Sequence, residues 1–156
     1  MLHDFELAGR RVRLWQRAGE SYEHVLMKAL GYAMFAPVFP GLEIERRVGL
    51  RYKPDLVAPA GDAFGARRFL FWGECGMVTM RKVAWLVKHA GIERLALFKI
   101  ASAATPFVNE LRASIDERYR GAGRLSLINF VGDVVELTAS RRVARVPAEW
   151  YTETAV

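Results

Sequence analysis

The sequence predicts an α/β domain, a mixed sheet flanked by helices. Three observations carry that prediction. A stripe of apolar residues at helical spacing runs through Tyr22, Val25, Leu26, Ala29, Leu30 and Ala33. The segment Arg68 to Cys75 is almost wholly apolar, as suits a strand covered on both faces. A helical pattern from Thr79 to His89 then leads to a second apolar strand, Arg94 to Ile100, the order of a crossover connection.

In chain order, Phe5-Glu6-Leu7, a turn at Gly9 and Arg11 to Trp15 read as a short hairpin with alternating apolar positions. Glu20 and Ser21 open the first helix, and Pro37 and Pro40 stop it. Leu42 to Tyr52 reads as a strand, with Leu42, Ile44, Val48 and Leu50 apolar, and a short strand runs from Asp55 to Ala58 after Pro54. The stretch PAGDAFGAR is a turn. Gly91 ends the Thr79 to His89 helix. Pro106 to Tyr119 is a helix with Thr105 as N-cap and Gly121 past its end. LSLINF, Val131-Gly132-Asp133 and VVELTA read as a second hairpin, and the tail carries Arg141, Arg142 and Arg145. The core order, from Glu20 to Ile100, is helix, three strands, helix, strand: an α-β-β-β-α-β sandwich with extra terminal hairpins.

At 156 residues the chain suits a single domain, 1–156, with one sizeable core. Its composition, 52% hydrophobic and 26% charged, argues against disorder. The net charge of +6 raises the expectation of a polyanionic partner, nucleic acid first. A lone cysteine, Cys75, excludes an intrachain disulfide and suits a reducing compartment. The start, MLHDFELAGRR, has no apolar core of a signal peptide, and the longest uncharged run, Ala29 to Leu42, is too short to span a bilayer. A cytoplasmic location is expected, with no membrane partner.

Three acids fall at telling places. Glu23 lies in the first turn of the first helix, Asp55 opens the second strand, and Glu74 ends the third. If the second and third strands pair, Asp55 and Glu74 sit side by side and repel unless a cation lies between them; oxygen ligands of this kind suit Mg²⁺ or Mn²⁺. By strand alternation Cys75 points away from Glu74, and neither His24 nor His89 is spaced to pair with it, so it reads as a core cysteine. His3, His24 and His89 show no metal-ligand spacing, and Gly61 to Gly65 lacks the Lys-Ser/Thr of a phosphate-binding loop. Each acid also has a plain structural reading: Glu23 as a first-turn residue, Asp55 at a strand start, and Glu74 at a strand end. Arg46, Arg47, Arg51 and Lys53 make a basic stretch along the first core strand, and Arg67 and Arg68 border the third, either a phosphate-contacting face or a solvated one.

Pro54-Asp55, an apolar strand and then Glu74 resemble the PD-(D/E)xK signature of restriction-endonuclease-like nucleases. More narrowly, YEHVLMKALGYA with Glu23, KPDL with Asp55, and Trp72-Gly73-Glu74-Cys75-Gly76 before a basic pair resemble the YaeQ family of that superfamily, over roughly Ser21 to Lys99. The resemblance implies a restriction-endonuclease-like core over about 20–100. It implies Mg²⁺ or Mn²⁺ held by Glu23, Asp55, Glu74 and the Cys75 backbone carbonyl. It also implies catalysis through Asp55, Glu74 and a lysine. The superfamily places that lysine two residues after the second acid, where this chain has Gly76; Lys82 on the following helix is the candidate, with Lys53 second and Arg81 beside it. YaeQ relatives usually have glutamine after that glycine, and this chain has Met77. The expected function is thus a Mg/Mn-dependent nuclease or phosphodiesterase. Nucleic acid would meet Arg46, Arg47, Arg51, Lys53 and Arg81. The alternatives are a catalytically inactive nucleic-acid-binding module and a protein-binding domain whose carboxylates form an ion-pair network with Lys82 and Arg81.

Overall fold

The computed structural model describes residues 1–61 and 68–156, so most of the PAGDAFGAR turn, Arg67 included, lies outside the described residues. β1 (Leu2–Leu7) and β2 (Arg10–Trp15) form the expected antiparallel hairpin, with Leu2 opposite Trp15. Ala8 and Gly9 turn it with φ of 49° and 77°, the backbone of a tight two-residue turn. Next comes α1 (Tyr22–Phe35), where Ser21 Oγ accepts a hydrogen bond from His24 N, the N-cap that frees the helix to start there. From Val25 to Phe35 nearly every residue of α1 is buried. The helix lies so close to the main sheet that a Cβ on Gly31 would stand 2.6 Å from Leu56 Cδ1 and 3.0 Å from Phe98 Cζ. Only glycine permits that approach.

The strand expected over Leu42 to Tyr52 shrinks to β3 (Glu43–Ile44). The chain leaves the extended region at Glu45, with φ of 54°, and again at Gly49, with φ of 75°. The consecutive exposed Arg46 and Arg47 break the alternation, and Val48, Leu50 and Tyr52 pack as a loop against the second apolar cluster. β4 (Leu56–Pro59) and β5 (Phe69–Cys75) follow as expected, antiparallel, with Leu56 opposite Gly73.

α2 (Met80–His89) is capped by Thr79 Oγ1, which accepts from Lys82 N at 3.1 Å, and Gly91, with φ of 71°, turns the chain into β6 (Leu95–Ile100). The single helix expected over Pro106 to Tyr119 is two: α3 (Thr105–Ser114) and α4 (Glu117–Arg120). Ile115 between them is extended and buried, and the Asp116 carboxylate accepts from Arg118 N to start α4. Thr105 is the first helical residue rather than the cap, which falls on Ala104 and carries no side-chain bond.

The second hairpin does not form. β7 (Leu125–Phe130) is followed by a helical turn, α5 (Val134–Leu137), because Val134 is drawn into the core and Thr138 Oγ1 donates back to Val134 O at 2.7 Å. β8 (Arg142–Val143) pairs with β1, and β9 (Tyr151–Ala155) becomes the antiparallel partner of β7.

The main sheet has the order β3-β4-β5-β6-β7-β9, with β5, β6 and β7 parallel and the outer pairings antiparallel. The small sheet β2-β1-β8 and α1 share one apolar cluster with one face of the main sheet; α2 and α3 cover the other. This is a mixed α/β architecture with mixed sheets flanked by helices. Among the described residues no helix is long and apolar enough to cross a membrane.

Candidate active site

The β4–β5 ladder positions the first two residues. Leu56 lies opposite Gly73, and Asp55 N donates to Gly73 O at 3.1 Å, so the residue before β4 sits beside the Gly73-Glu74-Cys75 end of β5. The pairing that the sequence left conditional is therefore present.

Each carboxylate is held in the same way. Glu74 is buried, at 5% exposure. Its Oε1 accepts from the indole Nε1 of Trp72 at 3.0 Å, and its Oε2 accepts from Lys82 Nζ at 3.0 Å. Asp55 Oδ2 accepts from Cys75 N at 2.8 Å, and its Oδ1 lies 3.4 Å from His24 Nε2. On each residue, one oxygen meets a neutral N–H and the other meets a group that carries or can carry positive charge. Burial holds the Glu74 carboxyl above its ordinary range; the Asp55 charge adds to this, and the Trp72 and Lys82 bonds oppose it.

Lys82 reaches Glu74 from the first turn of α2, eight residues on in sequence. Its ammonium also lies 5.1 Å from the centre of the Tyr52 ring, which packs edge-on against Trp85. The Arg51 guanidinium lies 5.5 Å from the same ring, so Tyr52 joins the basic loop before Asp55 to the site. Arg46 pairs with Glu43 at 2.6 Å, while Arg47 and Arg81 are exposed. Arg68 pairs with Glu93.

Glu23 is exposed in the first turn of α1, and the α1 residue beside Asp55 is its neighbour, His24. The Cys75 side chain is buried in the α1-facing cluster, where burial pushes the thiol well up; it is a core cysteine, as expected. Trp72 is likewise fully buried.

Three further residues brace the site, and the sequence reading missed them. Lys28, at 1% exposure, donates to Glu20 Oε1 at 2.5 Å and to Glu45 Oε1 at 3.2 Å. Glu45 N in turn donates to Asp55 O at 2.9 Å, and Glu20 Oε1 lies 3.7 Å from His24 Nε2. Lys28 therefore ties together both segments that hold Asp55. The available signal was a lysine set between Met27 and Ala29 in the otherwise uncharged run from Val25 to Phe35, a charge that burial tolerates only when paired.

Among the described residues, no three His, Cys, Asp or Glu side chains converge to hold a metal ion. The donor set suits a lighter demand. Mg²⁺ keeps several waters and is commonly bound through one or two carboxylates. Asp55 Oδ1 and Glu74 Oε2, whose partners are the His24 and Lys82 side chains, are the two oxygens that could hold it.

No protein-family model matches the chain. No curated protein matches it either. Among solved structures it is similar to the YaeQ protein from Xanthomonas axonopodis pv. citri, with a TM-score of 0.64 and 16% identity over 99% of this chain and 93% of that one. It is also similar to the YaeQ protein from Pseudomonas syringae, with a TM-score of 0.60 and 17% identity over 96% of this chain and 89% of that one. Over nearly its whole length, the chain has the fold of the YaeQ proteins.

Proposed function

We propose that the chain is a YaeQ-family protein of the PD-(D/E)xK superfamily and that Asp55, Glu74 and Lys82 form the centre of a Mg²⁺- or Mn²⁺-dependent phosphodiesterase acting on nucleic acid. One observation carries this reading: two carboxylates stand near each other at adjoining ends of β4 and β5, each with one oxygen held by a neutral N–H and the other beside a basic side chain, His24 or Lys82. A divalent ion in that position would polarise the phosphate and activate water. Asp55 Oδ1 and Glu74 Oε2 would hold it, and the Cys75 carbonyl is the backbone candidate for a further ligand. Glu23, exposed beside His24, is the remaining candidate ligand.

The chain's own residues divide the rest of the work. Trp72 Nε1 and Cys75 N keep the carboxylates aimed. Lys82, whose ammonium meets Glu74 at 3.0 Å, would balance the negative charge growing on the phosphate. Water adds to phosphorus, the P–O bond to the departing sugar oxygen breaks, and that oxygen leaves as an alcohol carrying a proton taken from the water. Lys53, next to Pro54-Asp55, and Arg51, Arg46, Arg47 and Arg81 on the adjoining loop and helix would meet the phosphate backbone.

Calorimetric titration of Mn²⁺ into the wild type and into Glu74→Gln, followed by a cleavage screen on labelled DNA and RNA, tests the reading. Metal binding lost in the variant, with metal-dependent cleavage in the wild type, is expected; a wild type that binds no Mn²⁺ even with an oligonucleotide present overturns it. A second reading, a nucleic-acid-binding module without catalysis, draws on Gly76 in the usual lysine position and on the full pairing of both carboxylates without metal. It predicts metal-independent, salt-sensitive binding that Arg47→Ala and Lys53→Ala weaken.

A further inference from the structure

We infer that the pocket at the carboxyl ends of β5 and β6 is a subsite for one nucleotide, with Lys99 holding its phosphate and the side chain of Met77 lying against its base. The pocket, about 500 Å³, opens between the start of α1 and the ends of the two strands, and Glu23, His24, Met27, Gly76, Met77 and Lys99 line it. That volume lies in the range of small-molecule sites.

Lys99 is the first reason. It follows Phe98, the register partner of Cys75, so it stands beside Gly76 at the end of the parallel pair. Its ammonium donates to Gly76 O at 3.1 Å and lies 4.1 Å from the centre of the Phe107 ring. Lys28 and Lys82, the lysines that α1 and α2 carry inward, both meet carboxylates. Lys99 is half-buried, yet among the described residues no carboxylate lies within 4.0 Å of it. A cation partly withdrawn from water with no carboxylate in ion-pair contact is costly: burial lowers its pKa, and the Glu110 charge opposes this without cancelling it. An anion entering the pocket would restore the balance, and the ammonium has donors to spare for it.

The rim is the second reason. Met77 is 99% exposed, a large apolar side chain standing in solvent beside a polar pocket. A thioether is a soft, adaptable surface for an aromatic ring. Met27 lines the same pocket, and the Glu23 carboxylate offers an acceptor for base N–H groups. Cation, apolar surface and acceptor together match a nucleoside phosphate better than a bare phosphate.

The assignment rests on the nucleic-acid reading of Asp55 and Glu74, which the pocket adjoins: His24 lines it and lies 3.4 Å from Asp55 Oδ1. A nucleotide bound there would be the neighbour of the phosphate at the carboxylates.

Guanosine 5′-monophosphate, whose base presents adjacent N–H groups to a carboxylate, is the probe. It is titrated calorimetrically into the full chain in excess EDTA, with uridine 5′-monophosphate and inorganic phosphate as comparisons. Chelation separates this test from the metal site: the subsite binds without metal even if Mn²⁺ binding or cleavage fails, and its own failure leaves those measurements standing. We expect GMP to bind more tightly than UMP and phosphate, Lys99→Met to weaken it about tenfold, and Lys99→Arg to restore most of the loss. Met77→Ser, at an exposed position that folding does not use, should weaken GMP while leaving phosphate unchanged. Absence of GMP binding at millimolar concentration, equal affinity for inorganic phosphate, or Lys99→Met binding as well as wild type with unchanged circular dichroism overturns the assignment.

Discussion

Lys82 Nζ lies 3.0 Å from Glu74 Oε2, while Trp72 Nε1 holds the other oxygen of the same carboxylate at 3.0 Å. The two bonds are unequal in consequence. Glu74 is buried, whereas the Lys82 side chain retains 24% exposure. Removing the lysine strands a charge in the interior; removing the carboxylate returns an ammonium to water. Lys82→Met should therefore destabilise the fold by about 1–3 kcal/mol, more than Glu74→Gln does, and the double variant should recover part of the loss. Urea unfolding of the four proteins at neutral pH reads this cycle.

If a divalent ion replaces Lys82 and His24 at the outer oxygens, it must also stabilise the folded state. Mn²⁺ at ten times its dissociation constant should add about 1.4 kcal/mol, visible as a rise in melting temperature. Asp55→Asn should abolish the rise. Lys82→Met should enlarge it, because the metal then meets a carboxylate with no competing ammonium. Differential scanning fluorimetry across a Mn²⁺ series distinguishes the three behaviours.

The candidate site was legible in the sequence as far as strand pairing and short spacing reach. Asp55 after Pro54 and Glu74 at the end of an apolar run come near each other once β4 and β5 pair, and Lys82 follows one helical turn after the α2 cap. His24, Glu20 and Glu45 were not legible, because their roles depend on how α1 lies over the end of the sheet. The fold divided in the same way. The regular repeats of α1, β5, α2 and β6 set their own positions. The Leu42 to Tyr52 strand and the second hairpin failed where a tertiary demand won: Glu45 turning toward Lys28, and Val134 toward the core. Local alternation cannot register such demands.

Gly31 tests how closely α1 must approach the sheet. Alanine there would gain about 1 kcal/mol of helix propensity. Its Cβ would also stand 2.6 Å from Leu56 Cδ1 and 3.0 Å from Phe98 Cζ, both on fully buried side chains. Overpacking of that kind costs roughly 1–3 kcal/mol or more. Leu56 adjoins Asp55, so relief by shifting Leu56 would disturb the site. Gly31→Ala should lower stability despite the better helix former, and should weaken Mn²⁺ binding more than a surface substitution of equal destabilisation such as Val38→Gly, far along the chain from the carboxylates. Denaturation and calorimetry on both variants decide it.

The Glu20–Lys28–Glu45 triad gives the fold a pH signature. Burial works against the Glu20 carboxylate, but the Lys28 bond, the Arg17 backbone N–H and the nearby charges outweigh it and hold its pKa below the ordinary 4.5. Burial likewise works against the Lys28 ammonium, and the Glu20 and Glu45 carboxylates outweigh it and raise its pKa above 10.5. A depressed carboxylate pKa contributes stability that is present above 4.5 and is lost as pH falls through the folded value. A raised ammonium pKa contributes stability that is present below 10.5 and is lost as pH rises through the folded value. Between those limits the triad is intact. Glu20→Gln removes the depressed carboxylate, so stability should fall less steeply on acidification below pH 4.5 than in the wild type, from a lower neutral plateau. Lys28→Met strands two carboxylates and should lower the neutral plateau further, by about 3 kcal/mol or more, because the lysine is the buried member of the network. Urea midpoints from pH 3 to 7 on the three proteins check this. A wild-type acid slope unchanged by Glu20→Gln would remove the triad from the account of acid unfolding.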